Sequence, residues 1–561
     1  MTKYVLVSDN TLIHNFRNFP LLDFLPSAPA SHVPGPVYKF LRGVPAPALP
    51  DGQAKFAPYG MRKLEISMLN QGIKSEDIAV AHPDHLQNFI KDDTEIVAVH
   101  TMDPMGLGPT TMSYYALFGG NEMRPWVRQE WDDLLAKINA LRVGKKAKLM
   151  IGGPGVWEYT ILNEEIERHK VDYLFQGEAD DIGGHLFQQL TDGQLDPNMF
   201  NNGFITYDET FHRMQHKDPR FISRGSGIGA YPKLEDIPVI TKPTTKGLTE
   251  VMRGCGIGCD FCEVTLRPLR YYPIDMIVKE LKVNLDAGYN YAWMHSDEIF
   301  AYKHLQNYVP NQEALIELFS TVMAQPGVVR TNPTHGRISI PAAYPELIKK
   351  LSEIGRASSS NWIGVQVGLE TGSDRLAKLH MPAKTLPLKI GVDGSYQEIV
   401  WKGVYNFNKY FWRPAFTVQV GQSSETDEDN WETVALINRM SNSVVEGRPF
   451  EFTVTPLYNM PLGRIKAKQV KSELTPSMLA VYYASYRHLA KMASRNANKD
   501  SKGNPFVKVG TSKIISVGGG LMFKAVEKIA KKQGLDVEKA KNWGMPKDKE
   551  LESWAMVAKA M

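Results

Sequence analysis

The sequence predicts an α/β protein in three parts. These are an N-terminal doubly wound parallel sheet at 1–204, a partial (β/α)6 barrel at 249–463, and a basic, mainly helical C-terminal region at 464–561, with a connector at 205–248. Three observations predict this. Short Val/Ile/Leu-rich runs alternate with amphipathic stretches in two separate series, as buried parallel strands alternate with the helices that cover them. A weakly periodic Gly/Pro-rich stretch, GSGIGAYPKLEDIPVITKP, lies between the series. Charge also changes along the chain: the formal balance is only +4, yet the part from Arg464 onward holds 20 Lys+Arg against 8 Asp+Glu.

The first series opens with YVLV (4–7). DIAVAHP, TEIVAVH, AKLMIGGPG and VDYLFQGE follow at strand length, separated by helical patterns such as MRKLEISMLNQG (61–72) and WDDLLAKINAL. Residues 12–60 interrupt it with FLPSAPASHVPGPVYKFLRGVPAPALPDG, whose prolines predict an extended surface excursion. In an open parallel sheet, ligands collect where the carboxyl ends of the strands meet the next loops. Those loops are HTMDPMGLGP (100–109), GGPGVWEYT (152–160) and QGEADD (176–181), all with glycines that let backbone approach a large ligand. None has the GxGxxG spelling of a dinucleotide site.

The second series reads GLTEVMR, YAWMHSDE, GRISIP, WIGVQVGLE, AFTVQVGQ and FEFTVTPL, with helices such as PIDMIVKELKVNLDAG and YPELIKKLSEIG between several of them. Functional residues of such a series belong at the strand C-termini. The tail adds three helical patterns, at 475–494, 521–534 and 550–561, with Gly-rich IISVGGG (514–520) as a break. A basic helical tail suits an anionic membrane, an acidic protein surface or a solvated cap; no RNA-binding motif is present, and no nucleic-acid partner is expected. There is no run of about twenty apolar residues, and MTKYVLVSDN has no signal-peptide pattern. The expected location is the cytoplasm.

The chain has three cysteines, and all fall in VMRGCGIGCDFCEVT (251–265), just after the first strand of the second series. Three thiols cannot all pair, so metal or redox chemistry in a reducing compartment is the better reading than a disulfide framework. Cys255, Cys259 and Cys262 stand as C-x3-C-x2-C on a loop with Gly254, Gly256 and Gly258. Thiolates suit soft metals. A structural zinc would need a fourth ligand, for which His295 is the nearest candidate by strand position; that reading gives a non-enzymatic metal or redox sensor. A [4Fe–4S] cluster held by three thiolates instead leaves one iron open.

The segment RGCGIGCDFC, with aromatic Phe261 before the last cysteine, resembles the cluster motif of the radical S-adenosylmethionine (SAM) enzymes. The resemblance implies a [4Fe–4S] cluster on Cys255, Cys259 and Cys262 that chelates SAM and cleaves it to a 5′-deoxyadenosyl radical. HSDEIFAY (295–302) is similar to the family's acidic segment, which offers Asp297 and Glu298 to the amino group of SAM. VQVGLETGSDRLAKLHMP (365–382) is similar to its fourth-strand motif, which implies SAM contacts from Glu370, Thr371, Gly372 and Ser373 and a buried Gln366. VGQSSETDED (420–429) and TPLYNMPLG (455–463) resemble later segments but depart from their spelling. IGGPG (151–155) and DYLFQGEADD (172–181) resemble loops of the cobalamin-binding domain that precedes the barrel in one radical SAM class. They imply cobalamin contacts from Gly152, Gly153, Pro154, Gly177 and Glu178, with Gly155 where the family places a histidine. The mutase-type D-x-H-x-x-G motif is missing, so cobalamin is expected without a protein imidazole on cobalt, its lower face near Thr101, Asp103, Met105 and Leu107.

The resemblance implies methyl transfer from SAM, by way of methylcobalamin, to an unactivated carbon. A peptide or protein acceptor is favoured, with a glutamine of methyl-coenzyme M reductase as the specific expectation and ferredoxin or flavodoxin as electron donor. The alternative is methylation or cyclisation of a lipid or small molecule. A lipid enzyme should show a wide apolar tunnel, a protein modifier an open polar groove.

Overall fold

The computed structural model describes residues 2–18, 20–118, 124–202, 205–207, 213–215, 218–224, 231–460, 474–500 and 505–545. The chain forms two compact units that share its length unequally: Met1–Thr111, Asn121–Thr249 and Asp275–Tyr289 make the first, and Met112–Gly120, Glu250–Ile274 and Asn290–Met561 the second.

In the first unit, β1 (Tyr4–Ser8), β2 (Ile78–Val80), β3 (Ile96–His100), β4 (Lys148–Gly152), β5 (Tyr173–Gln176), β6 (Asn201–Asn202) and β7 (Phe221–Ser223) form one sheet in the order β2-β1-β3-β4-β5-β7-β6. All paired neighbours are parallel except β6 with β7. Residue alternation sends Val5, Val7, Val97, Val99, Leu149 and Ile151 to one face, where Trp131, Leu134, Leu135 and Ile138 of the helix Trp126–Leu141 cover them. Leu6, Ile96, Ala98 and Met150 go to the other face, under Met61 and Met68 of Tyr59–Asn70 and Leu186 and Phe187 of Gly183–Asp192. Apolar side chains on both faces need helices on both, and the sheet is doubly wound for that reason. The strand order reverses between β1 and β3, which opens a crevice at their carboxyl ends.

Residues 12–60 are not a bare excursion. Pro20–Ser27 is 3-10 helical, and Gly35–Arg42 is an α-helix whose Tyr38 is fully buried and stacks on Trp126, with centroids 4.2 Å apart. Pro34 and Pro36 sit at its N-terminus, where a missing N–H costs nothing. The helix Ile274–Asp286 also packs in this unit: Glu280, buried, accepts Lys63 Nζ at 2.5 Å and the Tyr59 hydroxyl at 2.6 Å.

The second series of strands is β8 (Leu248–Glu250), β9 (Tyr291–His295), β10 (Arg330–Pro333), β11 (Ile363–Glu370), β12 (Trp412–Val420) and β13 (Thr453–Tyr458). They form two three-stranded sheets, β8-β9-β10 and β11-β12-β13. A parallel bridge between His335 and Gln366 links β10 to β11. Along β12 burial alternates at every residue: Trp412, Phe416 and Val418 are buried, whereas Thr417 and Gln419 are half-exposed. One face of the series is therefore core, and the other is open and largely polar.

GRISIP does not form the third strand. RTNP does, and Ser339–Ala343 is a helical turn; Pro341 has no N–H for a ladder, and Ser339 Oγ instead bonds the carbonyls of Lys384 and Leu386. In the tail, Pro476–Asp500 is one helix and Pro505–Lys532 another. The second runs straight through Gly518, Gly519 and Gly520, so the expected break is absent; three glycines lower helix propensity but remove no backbone donor. The expected helix at 550–561 lies outside the described residues.

A cysteine loop and a glycine-lined strand edge as candidate sites

In the second unit the cysteine loop is closed at its base. Met252–Arg253 pairs antiparallel with Arg270–Tyr271, so residues 254–269 leave and return at one place. Gly254 has φ +77°, and a Cβ there would lie 2.6 Å from the Pro268 carbonyl oxygen; only glycine serves. Asp297 Oδ2 accepts the Gly254 amide at 2.7 Å and fixes the loop's first residue to the end of β9. The backbone amide of Ile257 faces Cys255, and those of Val264 and Thr265 face Cys262. Burial pushes all three thiols up, Cys255 and Cys259 to about 12; Cys259 and Cys262 add to the rise at Cys255, and Cys262 to that at Cys259. Such thiols stay protonated unless a metal takes the proton's place.

Among the described residues no group of three or more His, Cys, Asp or Glu side chains is gathered around a point where it could hold a single metal ion. The donor set is nonetheless chemically suited to a thiolate-held cluster: three sulfurs in one loop, with amide N–H groups directed at two of them. Phe261 is half-buried beside them.

The other expected SAM residues divide. Glu298 is buried, caps Phe300 N at 3.1 Å and lies 3.6 Å from Arg337, itself buried; its carboxylate is committed there. Thr371, Gly372 and Ser373 are turned to the helix Asp427–Ser441: Gly372 N donates to Thr433 Oγ1 at 2.7 Å and Ser373 Oγ to Asp429 at 2.6 Å. They dock two elements together. Gln366 is exposed, not buried, because it stands on the open face of β11.

Glu370 is the distinctive member. The β11–β12 register slips between Gly368 and Glu370, and Glu370 has φ +63°. A bulge of this kind re-aims a side chain at a strand end. Here it brings Glu370 Oε1 to 3.1 Å from Lys384 Nζ and Oε2 to 2.8 Å from Gln419 Nε2. The crossing is so close that a Cβ on Gly368 would lie 2.5 Å from Lys384 Nζ. Sequence reasoning missed Lys384, together with His380, whose Nδ1 is 2.9 Å from Asp260 and whose Nε2 is 2.7 Å from the Ser423 carbonyl. Burial alone would lower the His380 imidazole, but the Asp260 carboxylate and the Ser423 carbonyl raise it. The segment LHMPAK holds both residues and has no periodicity to expose them.

In the first unit, the loop after β3 is firmly built. Thr101, fully buried, donates to Asp9 at 3.1 Å. Asp103 accepts Gly108 N at 2.8 Å and Thr111 Oγ1 at 2.6 Å. Met105 is 3% exposed in the core, its N–H bonded to Glu158 at 2.6 Å, and Leu107 packs against the same core. Burial, with Asp103 close by, holds the Glu158 carboxyl well above the carboxylate range. Thr101 and Met105 therefore do not face a ligand. Met102 does face outward, at 61% exposure.

Gly152 ends β4, Gly153 and Pro154 open the turn that follows it, and Pro154 is exposed. At Gly155 a Cβ would meet Met102 O at 2.6 Å and Pro104 Cδ at 2.5 Å. The neighbouring loop fills the place of the family's histidine, and no side chain fits. Gly177 is exposed at φ +127°, while the Glu178 carbonyl accepts Arg224 Nη1 at 3.2 Å. His100 closes β3 half-buried, and burial lowers its imidazole to about 4. Exposed glycine backbone, an outward thioether and a neutral imidazole at one sheet edge suit a large, partly apolar ligand.

Residues 249–437 match the Radical SAM superfamily. No curated protein sequence matches the chain. Among solved structures, the radical S-adenosylmethionine methyltransferase TsrM from Kitasatospora setae, with cobalamin and a [4Fe–4S] cluster bound, is 13% identical; 81% of this chain and 72% of that one are covered at a TM-score of 0.47. The cobalamin-dependent S-adenosylmethionine radical enzyme OxsB, with aqua-cobalamin bound, is 11% identical over 100% of this chain and 79% of that one, at a TM-score of 0.54. The likeness to OxsB is one of fold.

Proposed function

We propose that this chain is a cobalamin-dependent radical SAM enzyme that transfers methyl groups to carbon. The observation that carries the reading is the cysteine loop: three thiols, Cys259 buried and Cys255 and Cys262 half-buried, held by a closed backbone ribbon, two of them met by amide N–H groups, inside the span that matches the Radical SAM superfamily. When bound, the cluster with SAM would supply one-electron cleavage to a carbon-centred radical, and cobalamin would supply the methyl group.

Cys255, Cys259 and Cys262 would hold the cluster, and Asp297 would hold their loop in place through the Gly254 amide. Glu370 and Gln419 present polar groups at the strand ends beside it. For cobalamin, the exposed residues Pro154 and Gly177, the half-buried Gly153 and the side chain of Met102 offer the contact surface. Glu158 and Asp103 act from beneath, each accepting amide donors of the same loop.

A polar acceptor, such as a peptide, is favoured over a lipid because Asn332, His335, Gln366, Thr417 and Gln419 occupy the half-exposed or exposed positions of the strand series. A glutamine of methyl-coenzyme M reductase remains one such acceptor to assay. The test is anaerobic reconstitution with iron, sulfide and cobalamin, followed by EPR. A reduced-cluster signal that shifts on adding SAM, and that each single Cys→Ala variant at 255, 259 and 262 abolishes, is the expected result. A cluster indifferent to SAM, or no retained cobalamin, would overturn the reading.

A further inference from the structure

Two features stand outside the functions assigned so far: the buried Lys384, paired with Glu370, and the exposed Val517 and Leu521 of the tail helix. The pair carries an argument furthest. Lys384 and Glu370 sit at 3.1 Å with side chains only 13% and 8% exposed. Taking both charges out of water costs more than their attraction alone returns in most proteins. The chain also adopts a left-handed φ at Glu370, a bulge in β11 and a bare Gly368 to let the two meet. Unusual backbone concentrated at one point calls for a functional explanation.

The place of the pair supplies one. The segment that carries Lys384 lies against the cysteine loop: Asp260, between Cys259 and Cys262, donates its N–H to the His380 carbonyl at 3.1 Å, and His380 Nδ1 lies 2.9 Å from its carboxylate. The charges of Lys384 and Glu370 both act on Cys259 and Cys262, with opposite sign. We propose that Lys384, held by Glu370, is a positioning residue whose buried charge sets the reduction potential of the iron–sulfur group held by the three cysteines. The inference rests on the cluster reading above.

The physics fixes the signs. One-electron reduction adds one negative charge to a thiolate-bound cluster, with the electron supplied externally, by dithionite in a titration. A nearby buried cation stabilises that added charge and raises the potential, and a nearby carboxylate lowers it. Removing each partner must then move the potential in opposite directions. A pair that served only to tie β11 to the following loop would move stability and leave the potential alone.

The experiment is an EPR-monitored redox titration of the reconstituted full chain. Lys384→Met is expected to lower the midpoint potential by an amount equivalent to about tenfold in the reduction equilibrium, ~59 mV for one electron. Glu370→Gln is expected to raise it, and Lys384→Arg to leave it near that of the unsubstituted protein. Unchanged potentials in Lys384→Met and Glu370→Gln, with the cluster retained, would overturn the proposal. If Lys384→Met fails to retain a cluster, Glu370→Gln decides alone: a rise supports the proposal, and no change or a fall overturns it. A chain that forms no cluster in any variant, the unsubstituted one included, fails the cluster reading instead.

Discussion

Met102 and Met105 are three residues apart in one loop and have opposite surroundings: one thioether is 61% exposed at the sheet edge and the other 3% exposed in the core. The difference yields a test of where cobalamin sits. Met102→His should give cob(II)alamin EPR a three-line nitrogen splitting that the unsubstituted protein lacks; an identical spectrum would separate Met102 from the cobalt. His488 makes a second residue-scale prediction. Its Nδ1 lies 2.8 Å from Ser441 Oγ and its Nε2 3.0 Å from the Phe452 carbonyl, and burial, with Arg495 and Lys491 nearby, lowers its imidazole to about 3. The folded state then binds this proton more weakly than the unfolded one, so stability is full above about pH 6.5 and falls as pH drops toward 3. Between pH 7 and pH 4.5 the loss should be roughly 2–3 kcal/mol, at about 1.4 kcal/mol for each unit below 6.5, seen by denaturant unfolding at those two pH values and flattened in His488→Gln. The cysteines were fully legible in the sequence because their identity and spacing carry the chemistry. Met102 was not, since a loop has no period to say which side chain faces outward.

Among the elements, the strand runs of the first series were readable because buried parallel strands need continuous apolar stretches, and β1 to β5 are found where those stretches fall. GRISIP misled because its apolar alternation suits a strand while Pro341 and Ser339 bind it into a turn. The proline-rich stretch misled in the opposite sense: proline stops a helix in its middle and starts one at its end. The fit between the loops after β3 and β4 is also an element-scale property, invisible until both loops are placed. It predicts that Gly155→Ala, whose Cβ would meet Met102 O and Pro104 Cδ, destabilises the protein by about 2–4 kcal/mol, measurable by chemical denaturation. A loss under about 0.5 kcal/mol would show that the two loops can move apart. The β11 bulge belongs to the same class, since Lys384 joins Glu370 only through a distortion that no local pattern announces.

For the whole molecule, the sequence suggests two strand series joined by a connector at 205–248, and the natural place to divide them is near residue 249. The folded chain is divided otherwise. Asp275–Tyr289 is numbered within the second series but packs with the first unit, where Glu280 receives the buried Lys63; Met112–Gly120 makes the reverse journey. A cut at 249 would strip Lys63 of its carboxylate partner, and breaking a buried pair on one side costs about 3–5 kcal/mol. The ancestry of such a chain is correspondingly constrained. Gene fusion can join two finished modules end to end, but neither half of this protein can now be traded for a homologue's without taking a piece of the other's sequence along, so the two must be inherited, and diversify, together.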